Sequence, residues 1–318
     1  MIDRKYDIIV VGELNVDLIL QDIATFPEIG KEKIAKNMLL TMGSASAIFA
    51  SNIAKLGNKT GFIGKLGDDD YGKLVSDTLE SKGVDTSGII VDKKSKTGIT
   101  VSMTFPHNYA MVTYMGAMEE FSIEDVDFEF LKQAKHMHFA SYYLQPGIRS
   151  NCDKLFEKCK KFGVTTSFDP SWDPDEEWKE DIFDVLKNTD VFLPNEQEAL
   201  NISGCATIED ALEKLSLYSK IVVIKLGEKG AITKYQDEVI RTKTFNVEPK
   251  DTTGAGDSFN AGFISSWLVN SDIRNSLKMG NACGAIATTK LGGSTASPDS
   301  KELKQFLDQH HENIFILN

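Results

Sequence analysis

The stretch DTTGAGDSFNAGF, residues 251–263, decides how the rest of the chain is read. Glycine inside a helix is unfavourable by roughly 1 kcal/mol relative to alanine. Yet Gly254 and Gly256 flank Ala255, Asp257 follows, and the apolar run FISSWLV begins a few residues later. Residues 254–269 fit a helix whose first turn is GAGDSF. The first N–H groups of a helix have no partner within it, its dipole makes that end positive, and glycine lets an anion approach the backbone closely. An aspartate in that turn is favoured by the dipole and stands beside whatever the amides hold. Such a pairing suits phosphoryl transfer, in which amides neutralise developing charge while a carboxylate takes a hydroxyl proton. The plainer reading is a glycine-containing helix start with a capping aspartate. No Gly-Lys-Ser/Thr occurs in the chain, so a P-loop NTPase is disfavoured.

Working outward, the strand and helix signals alternate. YDIIVVGELNVDLIL is an apolar run of the kind buried on both faces of a parallel sheet, cut by Gly12. KTGFIGKLG, HMHFAS, VTTSFDP, DVFLPN and KIVVIKLG read as further strands. ASAIFASNIAKLG, DYGKLVSDTLESKG, RSNCDKLFEKCKKFG and TIEDALEKLSLYS read as helices between them, several ending at glycine. Alternation of this kind predicts an α/β fold in three layers, a doubly wound and mainly parallel sheet with helices on both faces. Ligands in such folds bind at the carboxyl ends of the strands. Two segments, roughly 16–41 and 97–116, break the alternation and are rich in β-formers, the second reading as a hairpin around PHN. Together they predict a small β-sheet projecting from the one main domain, 1–318. Two ordinary edge hairpins are the plainer alternative.

Composition narrows the class. The 318 residues are 41% hydrophobic and 26% charged, ample for a large core, with a formal net charge of −12. No basic patch stands out, which argues against a nucleic-acid partner. Cys152, Cys159, Cys205 and Cys283 form no C-x-x-C pair and read as ordinary thiols rather than a zinc site or a disulfide framework. The N-terminal MIDRKYDIIVVGELNVD lacks a signal peptide's long apolar stretch, and no run approaches about 18 apolar residues. A cytoplasmic protein with no membrane partner is expected.

DTTGAGDSFNAGF resembles the C-terminal signature of the ribokinase-like (PfkB family) carbohydrate kinases, and further motifs follow in family order along nearly the whole chain. GELNVD resembles the Asn-x-Asp of that family, GKLGDDDYG with KGVDTSGI its central Gly-Asp-Asp segment, and LPNEQEA its Asn-x-x-Glu. KLGEKGA resembles the nucleotide-side strand and turn, and NACGAIATTKLGG the segment flanking adenine and a monovalent cation. The resemblance implies transfer of the γ-phosphoryl of ATP to a sugar hydroxyl. Asp257 would be the general base, with the amides of Gly254, Ala255 and Gly256 as anion hole. Asp17 would grip the sugar with Asn15 supporting its turn, beside Gly43 and Ser44. Asn195 and Glu198 would organise Mg²⁺ and phosphate, a reasonable task for one carboxylate because magnesium keeps several waters. Lys225, Gly227 and Gly230 would lie on the nucleotide side, and Asn281 by the adenine. Asp251 and Thr253 would help hold a potassium-like ion near Gly292. A homodimer joined through the small sheets, acting as lids, is the expected assembly.

The chain departs from this pattern in two places. Where the family has Gly-Gly-x-x-x-Asn, GSASAI at 43–48 keeps Gly43 but has Ser44 second and Ile48 last. Isoleucine cannot bond a hydroxyl, whereas Ser44 and Ser46 can. DPSWDP at 169–174 puts Ser171 and Asp173 near positions where family members with acidic or ketose substrates carry Asn and Arg. The four arginines, Arg4, Arg149, Arg241 and Arg274, all fall outside the expected lid. A phosphorylated acceptor usually requires such forks, for which Lys31, Lys33 and Lys36 are poorer substitutes, so a neutral sugar is expected. Two alternatives remain open. One is a nucleoside kinase, with Phe105, Tyr109, Met111 and Tyr114 stacking on a base. The other is a non-catalytic sugar-binding protein, against which the intact Asp257 argues. Other eye-catching residues receive bland readings. The adjacent His310 and His311 point in different directions and suit no metal. His136 and His138 share a face near an expected strand end. The DDD at 68–70 reads as a helix start.

Overall fold

The computed structural model describes residues 4–310 apart from 107, 237 and 291. His107, within the expected PHN turn, and His311 lie outside the described residues. Thirteen strands are found among the described residues. They are β1 Tyr6–Val11, β2 Asn15–Gln21, β3 Asn37–Met42, β4 Thr60–Gly67, β5 Asp85–Asp92, β6 Gly98–Phe105 and β7 Asn108–Tyr114, followed by β8 Ala134–Ala140, β9 Thr165–Asp169, β10 Val191–Phe192, β11 Ile221–Lys225, β12 Ala231–Tyr235 and β13 Glu238–Thr242. The helices in the first half are α1 Ala45–Lys55, α2 Asp70–Ser81, α3 Phe128–Leu131, α4 Pro146–Arg149 and α5 Cys152–Lys161. The rest are α6 Ile182–Leu186, α7 Glu196–Ser203, α8 Ile208–Leu215, α9 Ala255–Asn270, α10 Ile273–Thr288, α11 Gly293–Ala296 and α12 Ser300–Gln309. No helix of the described residues is long and apolar enough to cross a membrane.

Nine strands form one sheet in the order β13-β12-β11-β10-β9-β8-β1-β4-β5. It is parallel from β11 to β5 and turns antiparallel only where β12 and β13 are added at one edge. Both faces are covered, and the two-residue period of a strand shows it. Ile9 and Val11 of β1 pack into one core with Leu155 and Phe156 of α5 and Leu212 of α8. Ile8 and Val10 pack into the other with Phe49 and Ile53 of α1, Phe263 of α9 and Leu277 of α10. That is the three-layer, mainly parallel architecture expected.

The strand order reverses between β1 and β8, so the crevice at their carboxyl ends is where such a fold places its ligand. Glu13, Ser141, Asp169, Asn195 and Lys225 stand at or just beyond the ends of β1, β8, β9, β10 and β11.

The second sheet has the order β3-β2-β6-β7, with β2 and β6 parallel and the outer pairs antiparallel. The segments near 16–41 and 97–116 are therefore one sheet, not two separate hairpins. The apolar run at the N-terminus differs from its reading as one piece. β1 ends at Val11 and β2 restarts at Asn15 in the other sheet, so the chain changes sheets across Gly12, Glu13 and Leu14. β5, β12 and β13 carry little continuous apolar sequence, and the run-of-hydrophobics criterion passed over them.

Polar residues in the core settle several bland readings. His136 bonds Thr165 Oγ1 and Ser167 Oγ at 2.8 Å each, and His138 bonds Ser167 Oγ at 2.7 Å while stacking on Phe49. Burial lowers the pKa of both rings, which are neutral core residues rather than pocket lining. Asp69 caps α2, accepting from Gly72 N, and its other oxygen accepts from Thr97 N, each at 2.9 Å. Cys152, Cys159 and Cys283 are buried thiols, and Cys205 is half-buried.

Phe168 of β9 is fully buried, its ring centroid 5.4–6.1 Å from those of Phe192, Tyr142, Phe156 and Phe139. Phe168→Ala is expected to cost about 3–5 kcal/mol of stability, measured as a lower midpoint in urea unfolding, because close-packed rings cannot collapse into the space.

Candidate active site

The site begins with the start of α9. Gly254, its N-cap residue, has φ 70°, the left-handed region where glycine is nearly strain-free. A Cβ there would also stand 2.6 Å from Gly293 Cα, so two backbones meet side by side. The first intrahelical bond is Ser258 N to Gly254 O at 2.9 Å. Ala255 N is drawn to Thr252 O at 3.2 Å, whereas among the described residues no hydrogen bond is made by the N–H of Gly254, Gly256 or Asp257. The open amides are thus those of Gly254, Gly256 and Asp257, a shift from the Gly254, Ala255 and Gly256 set that the motif implied.

Asp257 lies half-buried in that first turn. Burial, then the neighbouring Asp169 carboxylate, hold its pKa well above the ordinary carboxylate range against the pull of Lys225; Glu13 and Glu198 add to the rise. Lys225, at the end of β11, reaches to α9, and a Cβ on Gly256 would stand 3.6 Å from its Nζ. The ammonium donates to Asp169 Oδ2 at 2.6 Å and to Asn260 Oδ1 at 3.4 Å, while Asn260 Nδ2 donates to Asp169 Oδ2. Burial works against its charge, but Asp169, then Glu198, hold its pKa above the usual lysine range. Asn260 is three residues after Asp257 and shares its face of α9.

Asn195 and Glu198 start α7 as a capping box. Glu198 N donates to Asn195 Oδ1 at 2.9 Å and Asn195 N to Glu198 Oε2 at 2.8 Å. Burial, and next the Asp169 carboxylate, push Glu198 up to about 7. Among the described residues no group of three or more His, Cys, Asp or Glu side chains is placed to hold a metal ion by itself.

A second cluster surrounds Asp17 on β2. Asn15 Nδ2 donates to Asp17 Oδ1 at 3.2 Å and to Thr100 Oγ1 at 3.1 Å. A Cβ on Gly43 would stand 2.2 Å from Asp17 Oδ1, so only glycine lets the backbone pass this carboxylate. Burial, offset in part by Asn15 and reinforced by Glu13, raises Asp17 to about 6. The hydroxyl of Ser44 donates to Glu13 O at 2.6 Å, and its oxygen accepts from Ala47 N at 3.0 Å, capping α1. Ser46 donates to the Glu13 carboxylate through both its hydroxyl and its backbone N–H.

The remaining expected residues fall in two further places. Gly227 and Gly230, both at positive φ, form the turn joining β11 to β12. A Cβ on Gly230 would meet Thr242 O at 2.0 Å, and Asn281 Nδ2 donates to Thr242 Oγ1 at 2.9 Å and Lys243 O at 3.3 Å, so turn, β13 and α10 are tied together. Asp251 braces two loops, accepting from Thr253 N through one oxygen and Gly292 N through the other, each at 2.9 Å.

Glu13, Asp169 and Asn260 are site residues that the sequence reading passed over. Glu13 sat inside the quoted GELNVD, and Asp169 headed DPSWDP; a carboxylate directly after a buried strand was the available signal. Asp173 is instead a loop anchor, accepting from Asp175 N and Trp178 N.

The profile of the pfkB family carbohydrate kinases matches residues 5–300. The chain is 29% identical to probable fructokinase-2 of Arabidopsis thaliana, over 96% of this chain and 97% of that protein. It is 29% identical to the ATP-dependent ribose-1-phosphate kinase of Halopiger xanaduensis, over 95% and 98%. The structure of Arabidopsis thaliana ribokinase complexed with ribose and ATP superposes with a TM-score of 0.83, at 25% identity over 95% of this chain and 98% of that one.

The raised Glu198 carboxyl has a measurable consequence. Its pKa moves from an unfolded value near 4.5 to about 7 in the fold, so its favourable contribution is complete below pH 4.5 and is lost as pH rises to about 7. Glu198→Gln, which keeps an acceptor for Asn195 N, is expected to gain stability relative to the parent through that window and to gain no more above it, read by urea unfolding at a series of pH values.

Proposed function

The chain belongs to the pfkB family of carbohydrate kinases, and on that premise we propose that it transfers the γ-phosphoryl of ATP to a hydroxyl of a small, unphosphorylated sugar. The observation that carries this reading is the first turn of α9, where the Asp257 carboxylate shares one turn with three open amides beside Lys225. An ordinary aspartate is too weak a base for an alcohol. A carboxylate held well above its usual pKa by burial and acidic neighbours narrows that gap. The amides of Gly254, Gly256 and Asp257 accept the charge that develops on the transferring oxygens, and they are fixed before the reaction begins.

Lys225 has three donors, of which two go to Asp169 and Asn260, and its charge near α9 suits a phosphoryl oxygen. Magnesium would neutralise phosphate charge and take most of its ligands from phosphate and water, with Glu198 the carboxylate at hand and Asn195 holding it. Gly227, Gly230 and Asn281 shape the nucleotide side. Asp251 and Thr253 steady the loop that leads into α9, and a potassium-like ion beside them would add to that brace.

Asp17 is the sugar-gripping carboxylate, oriented by Asn15. A neutral acceptor fits the arginines. Arg149, Arg241 and Arg274 pair with Asp181, Glu209 and Glu238, while Arg4 donates to backbone carbonyls, so none faces the cleft. Lys31 and Lys33 both lie against Glu28 in the small sheet's loop.

Asp257→Asn is expected to keep fold and ATP binding while lowering kcat roughly 10²- to 10⁴-fold in a coupled assay with the phosphorylated sugar. Near-parental turnover by the purified variant would remove Asp257 as the base.

The small sheet leaves Met38, Leu39, Tyr109, Met111, Val112 and Tyr114 exposed. A second copy of the sheet would cover such a surface and its open edges. A homodimer joined through these lids is expected in sedimentation at micromolar concentration, and hydrogen exchange in 16–41 and 97–116 is expected to slow when sugar binds. A monomer, or exchange indifferent to a confirmed substrate, would count against that assembly.

A further inference from the structure

Where α1 meets α9, an isoleucine of α1 packs beside the start of the helix that carries Asp257. Asn52 of α1 donates to the hydroxyl of Ser258 at 3.0 Å, which places that face of α1 against the residue after Asp257. Ile48 lies one turn earlier on the same face, towards the carboxyl ends of the strands. It is only 5% exposed. A Cβ on Gly293 would stand 2.8 Å from Ile48 Cδ1 and 3.5 Å from Gly254 Cα. Ile48 therefore packs beside the glycine pair that frames the start of α9, one turn from Asp257.

The hydroxyls at the start of α1 are already engaged, and the unpartnered acceptor on this face, Asn52 Oδ1, lies one turn deeper, on the residue that bonds Ser258. The Ser44 hydroxyl serves Glu13 O and Ala47 N, and the Ser46 hydroxyl serves the Glu13 carboxylate. Asn15 points its amide nitrogen at Val16 O, Asp17 and Thr100. On the side of Ile48, the first turn of α1 thus offers no uncommitted hydroxyl to a ligand, while Asp17 supplies a strong acceptor on the other side. A hydroxyl held against Ile48 would lose its water and find no free hydroxyl in that first turn to replace it.

We infer that Ile48 is a specificity-determining residue, and that this kinase prefers an acceptor with a carbon lacking its hydroxyl where it meets Ile48, that is, a deoxy sugar. The inference rests on the reading of Asp257 and the α9 amides as the place of reaction. An apolar wall rejects an added hydroxyl only modestly, by roughly 10²-fold at most, so the fully hydroxylated sugar is a poor substrate rather than an inert one.

The test pairs each sugar with its deoxy counterpart: D-ribose with 2-deoxy-D-ribose, D-fructose with 1-deoxy-D-fructose, and D-glucose with 2-deoxy-D-glucose. Phosphorylation with ATP is followed by kcat/KM for the parent, Ile48→Asn and Ile48→Thr, the last keeping a β-branched shape. For at least one pair the parent is expected to favour the deoxy member about 10- to 100-fold. Either variant is expected to lower that ratio by at least about 10-fold while the ATP Kd, measured by calorimetry, stays put. Sugars phosphorylated without a deoxy preference, or a preference that folded variants leave unchanged, overturn the inference and leave the kinase reading intact. Failure of every sugar while ATP still binds overturns the sugar-acceptor reading, and the inference with it.

Discussion

Lys225 and Asp169 meet at 2.6 Å where β9 and β11 end, and the charges of the cleft are arranged around that contact. Glu13, Asp169 and Glu198 are carboxyl groups at or beyond the ends of β1, β9 and β10, and Asp257 stands in the first turn of α9. One ammonium cannot neutralise all of them, and the low-dielectric surroundings magnify what is left over. The cleft answers in two ways. Asp169 keeps the ion pair with Lys225 and a bond from Asn260. Glu198 and Asp257 are pushed towards protonation. Breaking a buried pair by removing one partner leaves an uncompensated charge, which is far more damaging than the net worth of the pair suggests. The same imbalance would serve the proposed chemistry: a carboxylate with a raised pKa shares the first turn of α9 with open amides, and the Lys225 ammonium stands beside them.

Holding so many groups together strains the backbone. Ser44, Ser141 and Ser171 have φ of 69°, 55° and 55°, left-handed conformations that non-glycine residues seldom adopt. All three lie at the rim of the cleft, before α1 and after β8 and β9. Their short side chains bond locally: Ser44 to Glu13, and Ser141 to Ser171 at 3.3 Å, while Ser171 N donates to Asp169 Oδ1 at 3.0 Å. Strained residues persist where the surroundings over-determine them, and functional clefts are where they gather. Here the strain aims Asp169 and fixes the entry to α1.

The layered sheet was legible in the sequence because strands buried on both faces are runs of apolar residues, and IVVIK or DIIVV admit few other readings. β5, β12 and β13 were not, because strands near an edge need only intermittent apolar residues. The division of the first run into β1 and β2 depends on long-range pairing of β2 with β6, which no local pattern encodes. The start of α9 was legible because glycines before an apolar helix demand a reason. The partners of Lys225 were not, since 56 residues separate it from Asp169 and only the parallel register of β9, β10 and β11 brings their ends together. Ser44 and Ser46 read as sugar ligands from residue type alone. Their hydroxyls instead serve Glu13, a preference that appears only once the carboxylate is seen to be buried against α1.

The two clusters belong to different sheets, and this gives the cleft its logic. Asp257, Lys225 and Asp169 are carried by the nine-stranded sheet and α9, whereas Asp17 and Asn15 are carried by β2 of the small sheet. Glu13 joins them, lying in the short crossing from β1 to β2 and adding its negative charge to both Asp17 and Asp257. A ligand that hydrogen-bonds Asp17 while presenting a hydroxyl to Asp257 spans the two sheets and separates two mutually repelling carboxylates. Its binding therefore favours one relative placement of the sheets over others, because only that placement satisfies both groups. On the proposed function, water excluded by the same placement would no longer compete for the phosphoryl group. On the proposed reading, acceptor recognition and protection of the nucleotide would both follow from a single arrangement of charge across the crossing at residues 12–14.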